Sequence, residues 1–581
     1  MGIPGLFAWL RKNCPHLIRT LPPQMSMSMQ QEIQNLCLDM NGIFHEACQK
    51  VYKYGTHAVH PSKIHPEPPA LPENVMRKRV FHEVGNIVNN LVYRVRPTRR
   101  VLIMVDGPAG NAKQSQQRQR RYRSVQDTER KFDSNCISPG TEWMDFLSKY
   151  MDQFIRREVT HNRIWQGLSV IFSNEKVAGE GEHKLIKFIR NHGTPTESYV
   201  LYGLDADLIM LTLSIQNILA TGAFSLHPPK FFILREDQYS RIPQLLVVDI
   251  TMFREFLIEE LTWGLDCSRN NLINDYIFLC FLLGNDFLPH SPTVDLIDGG
   301  LELLFHSYSN ACATHNSHLI VSQSNGVFSR DVLKDILHNI SMSEKILLED
   351  SVKKGEKFAD PLLQKHIVTT ELSEEERNAN EEKDWYSPPA VSQLNFEAYR
   401  TEYYSSKFPR HTPREVCHEY FRGMEWVYKY YTTGIPSWSW NYPFVYAPFA
   451  TEMVSSLDTY ESKHFQLGRP MEPFRQLLSI LPPQSKHLLP TALHPIIERF
   501  SSETKIDLAG KKFDWQAVVL VPPLVNFDQA YQNILQQMSP AEKRRNFLGK
   551  DYIYRFRRDL SYSHKTYYGE FTCSTEVTAF E

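Results

Sequence analysis

Seven carboxylates in this chain stand where an open parallel sheet would gather them. Asp39 closes the apolar run NLCLDM, Asp106 closes RVLIMVD, and Asp205 and Asp207 follow YVLYG in the stretch GLDADL. Glu180 and Glu182 lie in AGEGEHKLIKFI, on a glycine-flanked turn beyond the run LSVIF, and Asp286 follows the apolar stretch 275–283 in LLGNDFLPH. Taken singly, an acid at a strand end is most often a turn former or a helix cap. Seven on one rim would repel one another and resist ionisation unless hard cations neutralised them. An all-oxygen donor set suits Mg²⁺ or Mn²⁺ rather than zinc. Two such ions clamp the attacking and leaving oxygens of a phosphoryl displacement, so two-metal phosphodiester hydrolysis is the chemistry these residues imply.

A cationic stretch follows one of these acids. Between Arg94 and Lys131 there are eleven Lys and Arg against three acids, in a chain whose overall net charge is −2. Within GPAGNAKQSQQRQRRYRS, Lys113, Gln117, Arg120 and Arg121 fall at i, i+4, i+7 and i+8, one face of a helix. Arginine supplies bidentate donors, lysine a compact charge and glutamine a neutral donor, a set suited to a terminal phosphate.

Elements that would position these groups are legible in the first three hundred residues. Short apolar runs at 35–40, 100–106, 168–172 and 199–205 read as buried strands, and 75–95 and 141–159 carry helical spacing. The almost wholly apolar 275–283 reads as a buried helix. Alternation of this kind predicts an α/β fold, with a mostly parallel central sheet flanked by helices. From about 306 the pattern weakens, and Glu371 to Asp384 holds seven acids in fourteen positions, a solvated connector. Order returns near 396 with aromatic-rich segments, read as an α+β region packed on the sheet. The domain reading is therefore a nuclease region at 1–305, a variable connector at 306–395 and a region at 396–581 that completes the pocket.

With 42% hydrophobic and 22% charged residues, the 581-residue chain lacks the composition of a disordered protein. Its nine scattered cysteines contain no CxxC pair, so neither a disulfide framework nor a structural zinc site is expected. No apolar run approaches a membrane span, and the start MGIPGLFAWL has no signal-peptide pattern. A soluble intracellular protein is expected, cytoplasmic rather than nuclear, monomeric and without membrane partners.

The segments LDMNGIFH, VDGPAGNAKQSQQRQRRYR, FDSNCISPGTEWM, GEGEHKLIKFIR, LYGLDADLIML and GNDFLPH resemble, in order and spacing, the motifs of the Xrn-type 5′→3′ exoribonuclease family. The resemblance continues through GMEWVYKYYTTGIPSWSWNYPFVYAPF and KKFDWQAVVLVPPL to MSPAEKRRNFLGKD. It implies a PIN or flap-nuclease-like core in which Asp39, Asp106, Glu180, Glu182, Asp205, Asp207 and Asp286 hold Mg²⁺. It also implies that Lys113, Gln117, Arg120 and Arg121 hold the 5′-monophosphate of single-stranded RNA, and that His45 stacks on the leading bases. The stacking partner lies in PSWSW, where Trp438 and Trp440, two apart on an expected strand, would share a face, so both are candidates. Each stacked base contributes roughly 1–3 kcal/mol whatever its identity, which fits sequence-tolerant, processive release of 5′-mononucleotides. Only VQDTERK separates RRYRS from FDSNCISPG, where the family carries a longer helical insertion, and the large C-terminal accessory domains are missing. A compact member, of a cell or a large DNA virus, is expected. The alternatives are a structure-specific DNA flap nuclease, against which the absence of a glycine-rich duplex-holding element after Asp286 speaks, and a catalytically weak protein that binds RNA 5′ ends.

Overall fold

A computed structural model describes residues 3, 5–22, 32–58, 71–125, 132–221, 229–237, 240, 244–262, 269–296, 299–323, 326–354, 360–371, 390–509 and 517–580. Its centre is a nine-stranded sheet built from β1 (Ile18–Leu21), β2 (Asn35–Asp39), β3 (Arg100–Met104), β4 (Ser169–Ser173), β5 (Ser198–Tyr202), β6 (Lys230–Glu236), β7 (Leu245–Asp249), β8 (Asp551–Phe556) and β9 (Thr575–Phe580). The strands lie in the order β1-β7-β6-β5-β2-β3-β4-β8-β9. The inner five, from β6 to β4, are parallel; β7 and β8 flank them antiparallel, and the edge strands β1 and β9 pair antiparallel with β7 and β8 in turn. The expected α/β class with a mostly parallel sheet is what the molecule has.

Strand faces follow the two-residue period of a pleated sheet. Leu36, Leu38, Val101 and Ile103 enter one core, while Cys37, Leu102 and Met104 enter the other. On the first face pack α1 (Met40–Tyr52), α2 (Glu73–Val95) and α4 (Glu142–His161), through side chains such as Phe44, Phe81 and Met151. α3 (Asn111–Ser124) lies between them in the chain and is taken up with the site below. The opposite face carries α5 (Gly181–His192), α6 (Asp207–Thr221), α7 (Arg269–Leu279) and the helices that follow. Full burial of each such side chain stabilises by roughly 1.5–3 kcal/mol, so both faces are strongly fixed.

One stretch differs from the sequence reading. Much of the 306–354 stretch, assigned to a variable connector, is helix: α8 (Gly300–His315) and α9 (Arg330–Lys354) bury Tyr308, Val332, Leu333 and Ile336 completely. Val332, Leu333, Ile336, Leu337 and Ile340 carry helical spacing in the sequence itself, and they pack in the core on the opposite face of the sheet. Most of the acidic run falls at 372–389, outside the described residues, as does the shortened insertion at 126–131. The C-terminal region packs on the core as expected and also joins the sheet. It contributes α10 (Pro413–Thr432) and α11 (Pro473–Ile480) to the helical side, then returns to add β8 beside β4, with Ile553 opposite Ile171. Pro413 at the first helical position, with Thr412 and Glu415 forming a capping box, sets the start of α10. Among the described residues, no helix is long and apolar enough to cross a membrane.

Candidate active site

From β2 the chain moves outward through β3 to β4, then crosses back to place β5 on the other side of β2. Such a reversal opens a crevice beyond the carboxyl ends of the strands. The strand ends are level, with Asp39 opposite Met104, Met104 opposite Ser173 and Leu38 opposite Tyr202. Asp39 ends β2, Asp106 lies two residues past β3, Asp205 lies between β5 and α6, Asp207 opens α6, and Glu180 and Glu182 form the start of α5. Asp286 arrives from the turn after α7 and its 3₁₀ extension.

Close packing at this rim demands glycine. A Cβ on Gly181 would lie 2.7 Å from Asp39 Oδ1 and 3.4 Å from Asp106 Oδ1, so a side chain there would fill the space between the two acids. The Gly181 amide instead donates to Asp106 Oδ1 at 2.6 Å, and Asn41 Nδ2 donates to Asp106 Oδ2 at 2.7 Å.

Mutual electrostatic influence links neighbouring acids along the rim. Burial, then Asp106 and Asp205, raise the pKa of Asp39; burial, then Asp205, Asp207 and Glu180, raise Glu182 well above the carboxylate range. Asp207 is raised by burial, Asp286 and Asp205. Nearby like charges, added to burial, oppose ionisation in this way. Glu182 Oε2 and Asp207 Oδ1 are buried without a hydrogen-bond partner among the described residues. Buried, orphaned, hard oxygen donors that resist ionisation fit divalent cations, and the donor set accommodates them.

Lys113 stands among these acids. Its Nζ lies 2.7 Å from Glu180 Oε2 and 2.6 Å from Asp286 Oδ2. Burial works against its charge, but Asp286 and Glu180 outweigh it and hold the pKa well above the ordinary lysine value. For Asp286 the same balance runs the other way: burial opposes ionisation, and Lys113 overrides it. The residue expected to head a phosphate-binding face is thus also the local counter-ion of the carboxylates, because the inner face of α3 is turned toward the strand ends.

The remaining members of that face line the rim. α3 is helical as the spacing required. Gln117 is buried, with its Oε1 accepting from Gln476 Nε2 on α11 at 3.5 Å. Gln476 Oε1 in turn accepts from the Ala109 amide at 2.7 Å, so α11 braces the turn that starts α3. Arg121 donates to Ser138 Oγ at 2.8 Å, and burial with the nearby Arg120 lowers its pKa to about 9. Arg120 is exposed. His45, on α1, is partly buried beside these two guanidiniums; burial first, then Arg120 and Arg121, push its pKa down to about 4. Its imidazole is therefore neutral at pH 7.

The two tryptophans separate. Residues 435–449 form irregular chain rather than the expected strand, so Trp438 and Trp440 do not share a face. Trp440 is 8% exposed and stacks on Trp426 with ring centroids 5.2 Å apart, as part of the core. Trp438 is partly exposed, and its backbone is pinned to the first turn of α3: its carbonyl accepts from the Asn111 amide at 2.9 Å, and Ser439 O accepts from Asn111 Nδ2 at 2.9 Å.

Sequence reasoning missed three residues. Tyr430 donates to Glu180 Oε1 at 2.9 Å, and its neighbour Tyr431 is buried near Asp207 and Glu182; burial, together with those two acids, raises its pKa well above the ordinary phenol value. His183 lies flat against the Tyr430 ring, with centroids 3.6 Å apart and planes 4° apart. The one available signal was the spacing of Glu180 and His183, three apart at the start of a helix. α10 lies in the region expected to complete the pocket, but no local pattern marked Tyr430 or Tyr431 as the residues that reach the acids.

Fold and site together are of the PIN-like nuclease class: a switch-point crevice in a parallel sheet, floored with carboxylates. The family model described as the XRN 5′-3′ exonuclease N-terminus matches residues 1–237, and that of the Xrn1 helical domain matches 266–387 and 350–576. The chain belongs to the Xrn-type 5′→3′ exoribonuclease family. It is similar to 5′-3′ exoribonuclease 1 of Homo sapiens, 29% identical over 90% of this chain and 33% of that protein. It is also similar to 5′-3′ exoribonuclease 1 of Saccharomyces cerevisiae, 26% identical over 97% of this chain and 45% of that protein. The 5′-3′ exoribonuclease 2 homolog of Drosophila melanogaster is 27% identical over 95% of this chain and 73% of its own length. The chain thus spans a third of the human relative and under half of the yeast one.

Proposed function

We propose that this chain is a metal-dependent 5′→3′ exoribonuclease that degrades single-stranded RNA bearing a 5′-monophosphate, one 5′-mononucleotide at a time. The observation that carries this reading is the juxtaposition of seven converging carboxylates with the inner face of α3. Family membership supports it. Two divalent ions, Mg²⁺ or Mn²⁺, held by Asp39, Asp106, Glu180, Glu182, Asp205, Asp207 and Asp286, would supply Lewis-acid stabilisation and a water of lowered pKa.

The protein's own groups set the geometry. Arg120, Arg121 and Gln117, with Lys113 at the inner end, seat the terminal phosphate; charge-assisted hydrogen bonds favour its dianion over a hydroxyl end. His45, neutral, and Trp438 offer π-faces to the leading bases, and stacking holds them without reading sequence. With phosphate and bases fixed, the phosphodiester after the first nucleotide is the one delivered to the carboxylates. Hydrolysis breaks its P–O3′ bond, releases the first nucleotide with a 3′-hydroxyl and leaves a new 5′-phosphate for the same seat.

The test is a degradation assay on one RNA sequence carrying a 5′-monophosphate, triphosphate, hydroxyl or cap, with single-stranded DNA and a flap duplex alongside. Mononucleotides from the monophosphate RNA, and little from the other ends, are expected. Preferential cleavage of the flap would replace this reading with a DNA nuclease. Binding of 5′ ends without turnover would replace it with an end-binding protein.

A further inference from the structure

We infer that His183 is a nitrogen ligand to one of the divalent ions, so that Glu180, Glu182 and His183 form a mixed nitrogen and oxygen subsite that takes Mn²⁺ in preference to Mg²⁺. The inference rests on the metal-dependent reading above and adds to it a ligand of a different chemical kind. Donor atoms of these three residues, one from each, lie within 4.8 Å of one another, close enough for a single ion to reach all three. The imidazole is 9% exposed, and its Nε2 is buried without a hydrogen-bond partner among the described residues. A buried ring nitrogen left unpaired is costly, and a ligated ion would satisfy it.

Local structure aims the group. Glu180 occupies the cap position of α5 and makes no side-chain capping bond, which leaves its carboxylate directed at the crevice. His183 follows three residues later, on the same side of the first turn. Tyr430 holds both: its ring covers the imidazole face to face, fixing the ring plane, while its hydroxyl donates to Glu180 Oε1 and leaves Oε2 to Lys113. This is the outer-shell arrangement that orients a metal's ligands, supplied here from α10. Binding would require Lys113 to release Glu180 Oε2 while keeping Asp286.

The choice of ion follows from the donors. Mg²⁺ demands oxygen in near-octahedral geometry, whereas imidazole suits first-row transition ions. The other corner of the cluster, around Asp39 and Asp106, presents carboxylates alone, so the two positions should differ in preference.

The experiment is pulsed electron paramagnetic resonance of the full chain loaded with Mn²⁺, with bound ion counted from the loss of the free-ion signal. Nitrogen modulation from a directly coordinated imidazole is expected, changing frequency when histidine is labelled with heavy nitrogen. In His183→Phe, which keeps a ring against Tyr430, the modulation should vanish and Mn²⁺ affinity should fall about 10-fold or more, with Mg²⁺ affinity changed far less. If that variant fails to fold, the isotope comparison on the unaltered chain decides alone. Bound Mn²⁺ without nitrogen modulation would overturn the inference and leave the carboxylate site standing. Failure to bind Mn²⁺ at all would overturn the metal-dependent reading with it.

Discussion

The floor of the crevice and its rim are built on opposite terms. On the floor Glu180, Glu182, Asp207 and Asp286 are all under 8% exposed, held by two helix starts and the turn after α7 that the packed core fixes in place. On the rim Arg120 is exposed, while His45, Arg121 and Trp438 are only partly covered. Lys113 pairs with Glu180 and Asp286, while burial and like charges oppose ionisation of Asp39, Glu182 and Asp207, and this arrangement persists because folding imposes it. On the rim Arg120 meets solvent, whereas Arg121 is partly covered and leans on Ser138. On the proposed reading, chemistry falls where geometry is rigid and water scarce, and recognition where a strand would arrive and leave.

That contrast predicts how the two regions fail. Asp207→Ala should lower single-turnover hydrolysis by about 10²–10³-fold or more, because it removes a preorganised charge at the reacting phosphate. RNA affinity, measured by fluorescence anisotropy, should change less than about 3-fold. A large loss of affinity with Asp207→Ala would erase the division between floor and rim. Arg120→Ala with Arg121→Ala should do the reverse. Preference for monophosphate over hydroxyl ends should fall about 10-fold to 100-fold, the worth of one or two charge-assisted hydrogen bonds, with hydrolysis of a hydroxyl-ended RNA nearly unchanged. An unaltered preference would place the phosphate seat elsewhere.

The same division explains what the sequence made legible. β2, β3, β4 and β5 are buried on both faces, so each reads as an unbroken apolar run, and the acid at or shortly after its end is visible without coordinates. β6 and β7 belong to the same sheet but sit in a stretch whose boundaries the pattern left vague. β8 and β9 lie over three hundred residues from β4, a pairing no local signal encodes. The face of α3 was legible because helical spacing is local. That Lys113 on it also pairs with Glu180 and Asp286 was not, because this depends on how the helix is turned against the strand ends. Tyr430 and Tyr431 reach the floor from α10 through tertiary packing, and their contribution was invisible for the same reason.

The tryptophans sharpen the comparison within a single short segment. Trp438→Ala should raise the KM for RNA about 5-fold to 100-fold, as loss of one stacking face predicts, with the melting temperature nearly unchanged. Trp440→Ala opens a cavity against Trp426 and should destabilise the fold by about 3–5 kcal/mol, with any effect on KM secondary to that loss. Thermal melts and steady-state kinetics on both variants separate the roles. Equal destabilisation by both would return Trp438 to the core and leave His45 without its partner.

The smallest effect expected is a pH dependence at His45. Its folded pKa of about 4 lies below the ordinary histidine value of about 6.5, so the folded chain binds fewer protons here than the unfolded one. The contribution to stability is therefore fully present above pH 6.5 and is lost as the pH falls toward 4. Chemical denaturation of the unaltered chain and of His45→Gln at pH 7 and pH 5 should show a smaller drop in the variant, since glutamine has no proton to gain. RNA binding by the unaltered chain should show no His45 titration between pH 5.5 and 8, because the ring that meets the bases is neutral throughout. A binding step near pH 6.5, absent in the variant, would mean that the imidazole charges when RNA arrives, and would move His45 from the stacking surface to the phosphate seat.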